Sequence, residues 1–192
     1  MYSLILDSST KILYIALLKD NNLLEDIYVS GQNDHAKNIV SKIDELLKKY
    51  NIESKDLNEV ICGYGPGSYT GVRMAVTVAK MLSVFMNIPL YTISTLRLMA
   101  SGKNGKVLSL IDARRGNSFG MIFDMDKNEY IVNEGLYNTL ELKNNEYDNV
   151  VTENDYKVNP VYCLNNKSKV ENPDLLIPNY LRETEAERNL ND

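Results

Sequence analysis

Two clusters in this chain hold residue types suited to phosphate. Asp7-Ser8-Ser9-Thr10 sets an acid ahead of three hydroxyls, and the segment Gly63-Tyr64-Gly65-Pro66-Gly67-Ser68-Tyr69-Thr70-Gly71 gathers four of the ten glycines. A strand-terminal aspartate followed by small hydroxyl residues can sit beside phosphate and a hydrated metal, although the same residues are ordinary turn formers. A glycine turn that launches a helix allows close backbone approach and aims free N–H groups at an anion or at a partner's backbone. A third cluster, Asp112-Ala113-Arg114-Arg115, adds guanidinium groups that suit phosphate or a partner's carboxylate, or that simply stay solvated.

The familiar phosphate motifs are not met. No Gly-Lys-Ser/Thr follows the glycines, so the segment is not a Walker A loop. Gly65, Gly67 and Gly71 form a relative of the dinucleotide fingerprint, but the unit opens with a hairpin and the later strand Leu90-Tyr91-Thr92-Ile93 ends without an acid for a ribose. One histidine, His35, and two cysteines, Cys62 and Cys163, supply neither a His-x-x-x-His pair nor a Cys-x-x-Cys, so no metal site is expected. With no Gly-x-Ser-x-Gly elbow and His35 at a helix start, nucleophilic catalysis is not expected either.

The elements that must position these clusters emerge from periodicity. Tyr2 to Asp7, Lys11 to Leu18 and Leu23 to Val29 read as strands, with Asp20-Asn21-Asn22 as a hairpin turn. Asn33 or Asp34 caps a helix from His35 to Tyr50, whose apolar face carries Ile39, Val40, Ile43, Leu46 and Leu47. A strand from Glu59 to Cys62 enters the glycine turn, and a helix from Thr70 to Met86 leaves it. That helix is apolar on most sides. Gly71, Ala75, Ala79 and Ser83 recur every four residues along it, a stripe that either packs on the chain's own sheet or admits another helix, with Val72 and Val76 beside it. Pro89 to Ile93 is a strand and Ser94 to Met99 a short helix; Ser101-Gly102-Lys103-Asn104-Gly105 then marks a boundary, giving lobes 1–101 and 102–192. Beyond it lie strands Lys106 to Ile111, Ser118 to Phe123 and Tyr130 to Tyr137, few helical patterns, and a charged tail from Pro178.

Composition bounds the rest. The 192 residues, 44% apolar and 24% charged, suffice for a large domain or two lobes. A net charge of −5 argues against autonomous nucleic-acid binding. No apolar run reaches the roughly 18 to 20 residues that span a bilayer, and the chain opens directly on a strand without a leader pattern. Two cysteines among apolar neighbours fit free thiols in a reducing compartment, so a cytoplasmic location is expected.

Taken together the motifs resemble the TsaB (YeaZ) family. Leu6 to Thr10, Gly65 to Arg73 with Ala79-Lys80, Ile93 to Leu96, Ile111 to Gly116, and Pro178-x-Tyr180-Leu181-Arg182 with Glu185-Ala186-Glu187 carry the likeness along the chain. His35-Ala36-Lys37 stands where the family tends to have His-Ser-Glu, and the second half is shorter. The resemblance implies an α/β, actin-like ATPase (ribonuclease H-like) fold of two lobes, the second reduced and β-rich. It also implies a non-catalytic partner subunit in making threonylcarbamoyladenosine beside the tRNA anticodon. Its partners would be the catalytic paralogue TsaD and the nucleotide-hydrolysing TsaE, with a homodimer when alone, tRNA met only through the complex, and no membrane. The docking element would be Gly71, Val72, Ala75, Val76, Ala79 and Ser83. No intrinsic cofactor is expected, because Asp112-Ala113-Arg114 lacks a third-place glycine and no Gly-Gly pair occurs. ATP or ADP at the interface would face Asp7, Ser8, Ser9 and Thr10, then Gly65, Pro66, Gly67, Ser68, Thr70 and Arg73, and finally Asp112, Arg114 and Arg115. The alternative is a stand-alone enzyme of the same fold, an ATP-dependent phosphotransferase or a glycoprotease-like peptidase.

Overall fold

A computed structural model describes residues 1–30 and 35–181, with the side chains of 35–37 outside the description. The expected caps Asn33 and Asp34, the His35 side chain, Arg182 and the 185–187 acids therefore lie outside the described residues. The first sheet starts with β1 (Tyr2–Asp7), β2 (Ile12–Lys19) and β3 (Asn22–Ser30), an antiparallel meander in which Leu4 faces Leu17 and Leu13 faces Val29. After α1 (His35–Lys49), β4 (Leu57–Gly63) pairs parallel to β1. After α2 (Tyr69–Met86), β5 (Leu90–Ile93) pairs parallel to β4.

Strands β1 and β2 are buried on both faces, which explains their nearly unbroken apolar sequence. Leu4, Leu6, Leu13, Ile15 and Leu17 meet α1 and α2 on one side, while Ile5, Tyr14, Ala16 and Leu18 meet the second lobe on the other. In α1, Ile39, Ile43, Leu46 and Leu47 are buried as their spacing requires. Val40, assigned to the same face, is 61% exposed: it sits one position round from Ile39 and points outward.

A short helix, α3 (Thr95–Ala100), leads to the second sheet of β6 (Lys106–Asp112), β7 (Asn117–Asp124), β8 (Glu129–Asn138) and β9 (Asn149–Thr152). Its order β8-β7-β6-β9, with β9 parallel to β6, repeats the order β3-β2-β1-β4 of the first. Helix α4 (Thr139–Lys143) takes the place of α1 in the repeat, and α5 (Pro160–Asn165) that of α2. These helices have 5 and 6 residues against 15 and 18 in the first lobe. The two-lobed fold with a reduced, β-rich second lobe is thus as the sequence implied.

The domain division needs one correction. The second lobe does not run to the end of the chain, because β10 (Ser168–Lys169) crosses back and pairs antiparallel with β5. From there residues 170–181 lie on the first lobe, with Val170 and Leu176 packed against its core. Lys167 anchors the crossing: its ammonium meets the Glu59 carboxylate at 2.5 Å and stands over the Tyr91 ring, and Ser3 donates to the same carboxylate at 2.8 Å.

Candidate functional site: a closed phosphate turn beside an open helix face

Asp7 ends β1 with no exposed surface, and Ser8 and Ser9 are equally buried. The Asp7 carboxylate accepts the Ser9 N–H at 2.5 Å and the Thr95 hydroxyl at 2.7 Å. Thr95 in turn accepts the Gly65 N–H at 3.2 Å and donates its own N–H to the Gly65 carbonyl at 2.9 Å. Burial pushes the Asp7 carboxyl above its ordinary value, and the bonds from Ser9 and Thr95 pull the other way.

The glycine turn packs directly on the turn that follows Asp7. Ser68 N–H donates to the Ser9 carbonyl at 2.8 Å, and the Ser8 hydroxyl donates to the Gly71 carbonyl at 2.7 Å. A Cβ at Gly67 would overlap the Ser9 carbonyl, and one at Gly71 the Ser8 carbonyl. Glycine is therefore required here for backbone-on-backbone packing, not for cradling an anion. Just ahead of them the Gly65–Pro66 peptide is cis.

This corrects the nucleotide assignment. Asp7, Ser8, Ser9, Thr10 and Pro66 are buried against other parts of the same chain, Gly65 is covered by the Asn179 carbonyl, and Gly67 lies on Ser9. Thr10 is committed to the second lobe, its hydroxyl 3.0 Å from that of Tyr156. Ser68, Thr70 and Arg73 remain exposed at the start of α2. Asp112, Arg114 and Arg115 are exposed on the β6–β7 turn, where Asp112 accepts the Arg114 N–H at 2.9 Å and both arginines adopt positive φ, 65° and 54°. At the seam between the lobes Lys11, on the first hairpin turn, pairs with Glu153, just after β9, at 2.7 Å.

The stripe is also corrected. Gly71, Val72, Ala75, Val76, Ala79 and Ser83 are the buried residues of α2, and the apolar ones face the core shared with β1 and β4. Small residues let α2 lie close on its own sheet, so they offer nothing to a partner. The opposite side of the helix is the unusual one. Met81, Val84 and Phe85 are exposed, Phe85 to 73%. At the N-terminal end an open groove of about 410 Å³ runs between α1 and α2, with Ile39, Met74 and Val78 at its base and Val40, Tyr69 and Arg73 along its rim. Arg73 donates to the Tyr69 hydroxyl at 2.8 Å and covers its ring.

Sequence reasoning missed Thr95 and this outer face. The signal for the face was present, since a helix apolar on most sides needs two partners and the sheet supplies one. Thr95 stands within the Ile93 to Leu96 motif, but its role could not be read because it depends on a contact 88 residues away.

Two ribonuclease H-like lobes, the second shortened, with the first hairpin turn closed by backbone, define an actin-like ATPase-type fold without an open phosphate turn. Residues 29–154 match the family described as TsaD: tRNA N6-adenosine threonylcarbamoyltransferase. The chain is 34% identical over 122 residues to the tRNA threonylcarbamoyladenosine biosynthesis protein TsaB of Bacillus subtilis, covering 62% of this chain and 53% of that protein. It is 32% identical over 133 residues to TsaB of Escherichia coli, covering 67% and 57%. The fold is that of YeaZ from Pseudomonas aeruginosa, with a TM-score of 0.77 at 19% identity over 94% of this chain and 99% of that one. The chain belongs to this threonylcarbamoyltransferase family, in its TsaB (YeaZ) group. It spans about half the length of the curated relatives it matches, 53% and 57% for these two. Among the described residues no helix is long and apolar enough to cross a membrane.

Proposed function

We propose that this chain is a non-catalytic subunit in the formation of threonylcarbamoyladenosine beside the tRNA anticodon, and that it docks a TsaD-type catalytic paralogue with the outer face of α1 and α2. The observation that carries this reading is the juxtaposition of a self-packed hairpin turn with a bare apolar face on the helix that leaves it. Bare apolar surface of this kind marks a protein contact. The family match over 29–154 takes in α1 and α2, so a TsaD-type partner brings a related helix pair and the two can pack like against like. The same face accounts for a homodimer when the chain is alone. Any ATP or ADP at the interface is held by the partner, with Ser68, Thr70 and Arg73 facing it from this side. TsaE and tRNA are met through the complex, in the cytoplasm, and the exposed Asp112, Arg114 and Arg115 turn is this chain's contribution to anion contacts there. A phosphotransferase or peptidase activity of the chain alone is disfavoured by the buried, self-satisfied Asp7.

The test is binding of the purified catalytic paralogue to Met81→Ser/Phe85→Ser, measured by calorimetry. Affinity is expected to fall at least about tenfold with the monomer's melting unchanged, because both side chains are exposed. Ala79→Arg, by contrast, should unfold the monomer, since Ala79 is fully buried. Unaltered affinity in the double variant rules the docking face out.

A further inference from the structure

Resting on the docking reading of α1 and α2, we infer that the strap Asn172–Leu181 forms one wall of the same surface, with Leu175 and Ile177 entering the catalytic paralogue alongside α2. Leu175 and Ile177 are 74% and 71% exposed, while Leu176 between them packs into the first lobe's core. Single exposed apolar residues are ordinary. Here two stand on a short segment held rigidly to the helix that carries Met81, Val84 and Phe85.

The strap is fixed along its length. Asn172 caps the turn Pro173–Leu175 by accepting the Asp174 N–H at 3.0 Å. Lys80 of α2 donates to the Asp174 carbonyl at 2.9 Å, and the Asn179 N–H donates to the Tyr64 carbonyl at 2.7 Å. The Tyr180 ring stacks on Tyr69 with centroids 5.1 Å apart and planes at 28°. Since Tyr69 lines the groove between α1 and α2, strap and groove are continuous through that ring pair. Apolar groups presented on an already ordered segment bind without an ordering penalty.

Two further facts commit the strap to the paralogue. Its ten residues, NPDLLIPNYL, carry one charge, Asp174, in a chain that is 24% charged, and the centres of interfaces are depleted in charge in just this way. The family match ends at residue 154, before the strap. The helix pair thus lies inside the segment matched to TsaD and the strap outside it, which makes the strap a contact from beyond the shared helix pair. It gives the heterologous pair a contact that a helix pair alone does not have.

Leu175→Ser/Ile177→Ser in the full chain is the probe, with Met81→Ser/Phe85→Ser alongside and Ile177→Arg as an independent strap variant. Heterodimer affinity for the strap variants is expected to drop at least about tenfold at unchanged monomer melting. Normal affinity in the strap variants with weakened binding in Met81→Ser/Phe85→Ser overturns the strap proposal and leaves the docking reading intact. Normal affinity in every variant overturns both. Loss of homodimer alone, by sedimentation, with the heterodimer intact assigns the strap to self-association and overturns its commitment to the paralogue.

Discussion

The two lobes trace the same strand order, yet their first hairpin turns have opposite fates. In the first lobe the turn after β1 lies beneath the glycine segment and is sealed by Ser68, Gly71 and Thr95. In the second lobe the turn after β6 stands in solvent with Asp112, Arg114 and Arg115 at its tip. The strand that pairs beside β6 is succeeded by Glu153 to Asn159, which contains no glycine and launches only the six-residue α5 from its Asn159 cap. Helical cover differs in parallel: α1 and α2 shield a broad core, whereas α4 covers a small cluster of Leu108, Leu110, Ile122 and Leu142. Strand topology, then, sets where a phosphate turn is placed. The segment leaving the fourth strand decides whether that turn is open.

The most severe way to break this contrast is Gly71→Val, which forces a branched side chain onto the Ser8 carbonyl. A loss of about 3 kcal/mol or more is expected by urea unfolding, against about 1 kcal/mol for Gly116→Ala in the other turn, where φ is 76° but nothing lies within 4 Å. Comparable losses would mean the first turn is not sealed by close packing. A smaller difference should separate the cores. Leu6→Ala is expected to cost about 4 kcal/mol and Leu142→Ala about 2 kcal/mol, because the thin cluster under α4 can relax around the gap. The smallest effect is a null one. Burial holds the Cys62 thiol above its ordinary range and pushes that of Cys163 up to about 12, so neither should be alkylated in the native protein near pH 8. Mass spectrometry showing faster labelling of Cys163 would reveal that the second lobe opens more readily than the first.

The lobes differ as much in legibility as in packing. β1 to β8 and α1 to α3 could be read because a short apolar run such as Ile12-Leu13-Tyr14-Ile15 or spacing in Ile39-Ile43-Leu46 is a local signal. α4, β9, α5 and β10 were missed: with two to six residues each they show little periodicity, and unlike the equally short β5 and α3 they lie in a stretch rich in Asn. The site was half legible. Both phosphate-type clusters were found and do lie together, but their residue types fit an open cradle and a closed knot equally well. Only the hydrogen bonds to Thr95 and Ser68 distinguish the two. The stripe on α2 was seen with its direction reversed, because an all-round apolar helix gives no indication of which side meets the sheet.

The crossing made by β10 has a mechanical consequence. The chain passes from first lobe to second once, between Ala100 and Lys106, and returns between Asn165 and Ser168. Two halves joined by a single tether can swing about any direction. Joined at two separated points, they can turn only about the line through both, and the Lys167–Glu59 clasp stiffens one end of that line. The lobes are thus limited to a single hinge line rather than a free swivel, a restriction consistent with the docking role proposed above.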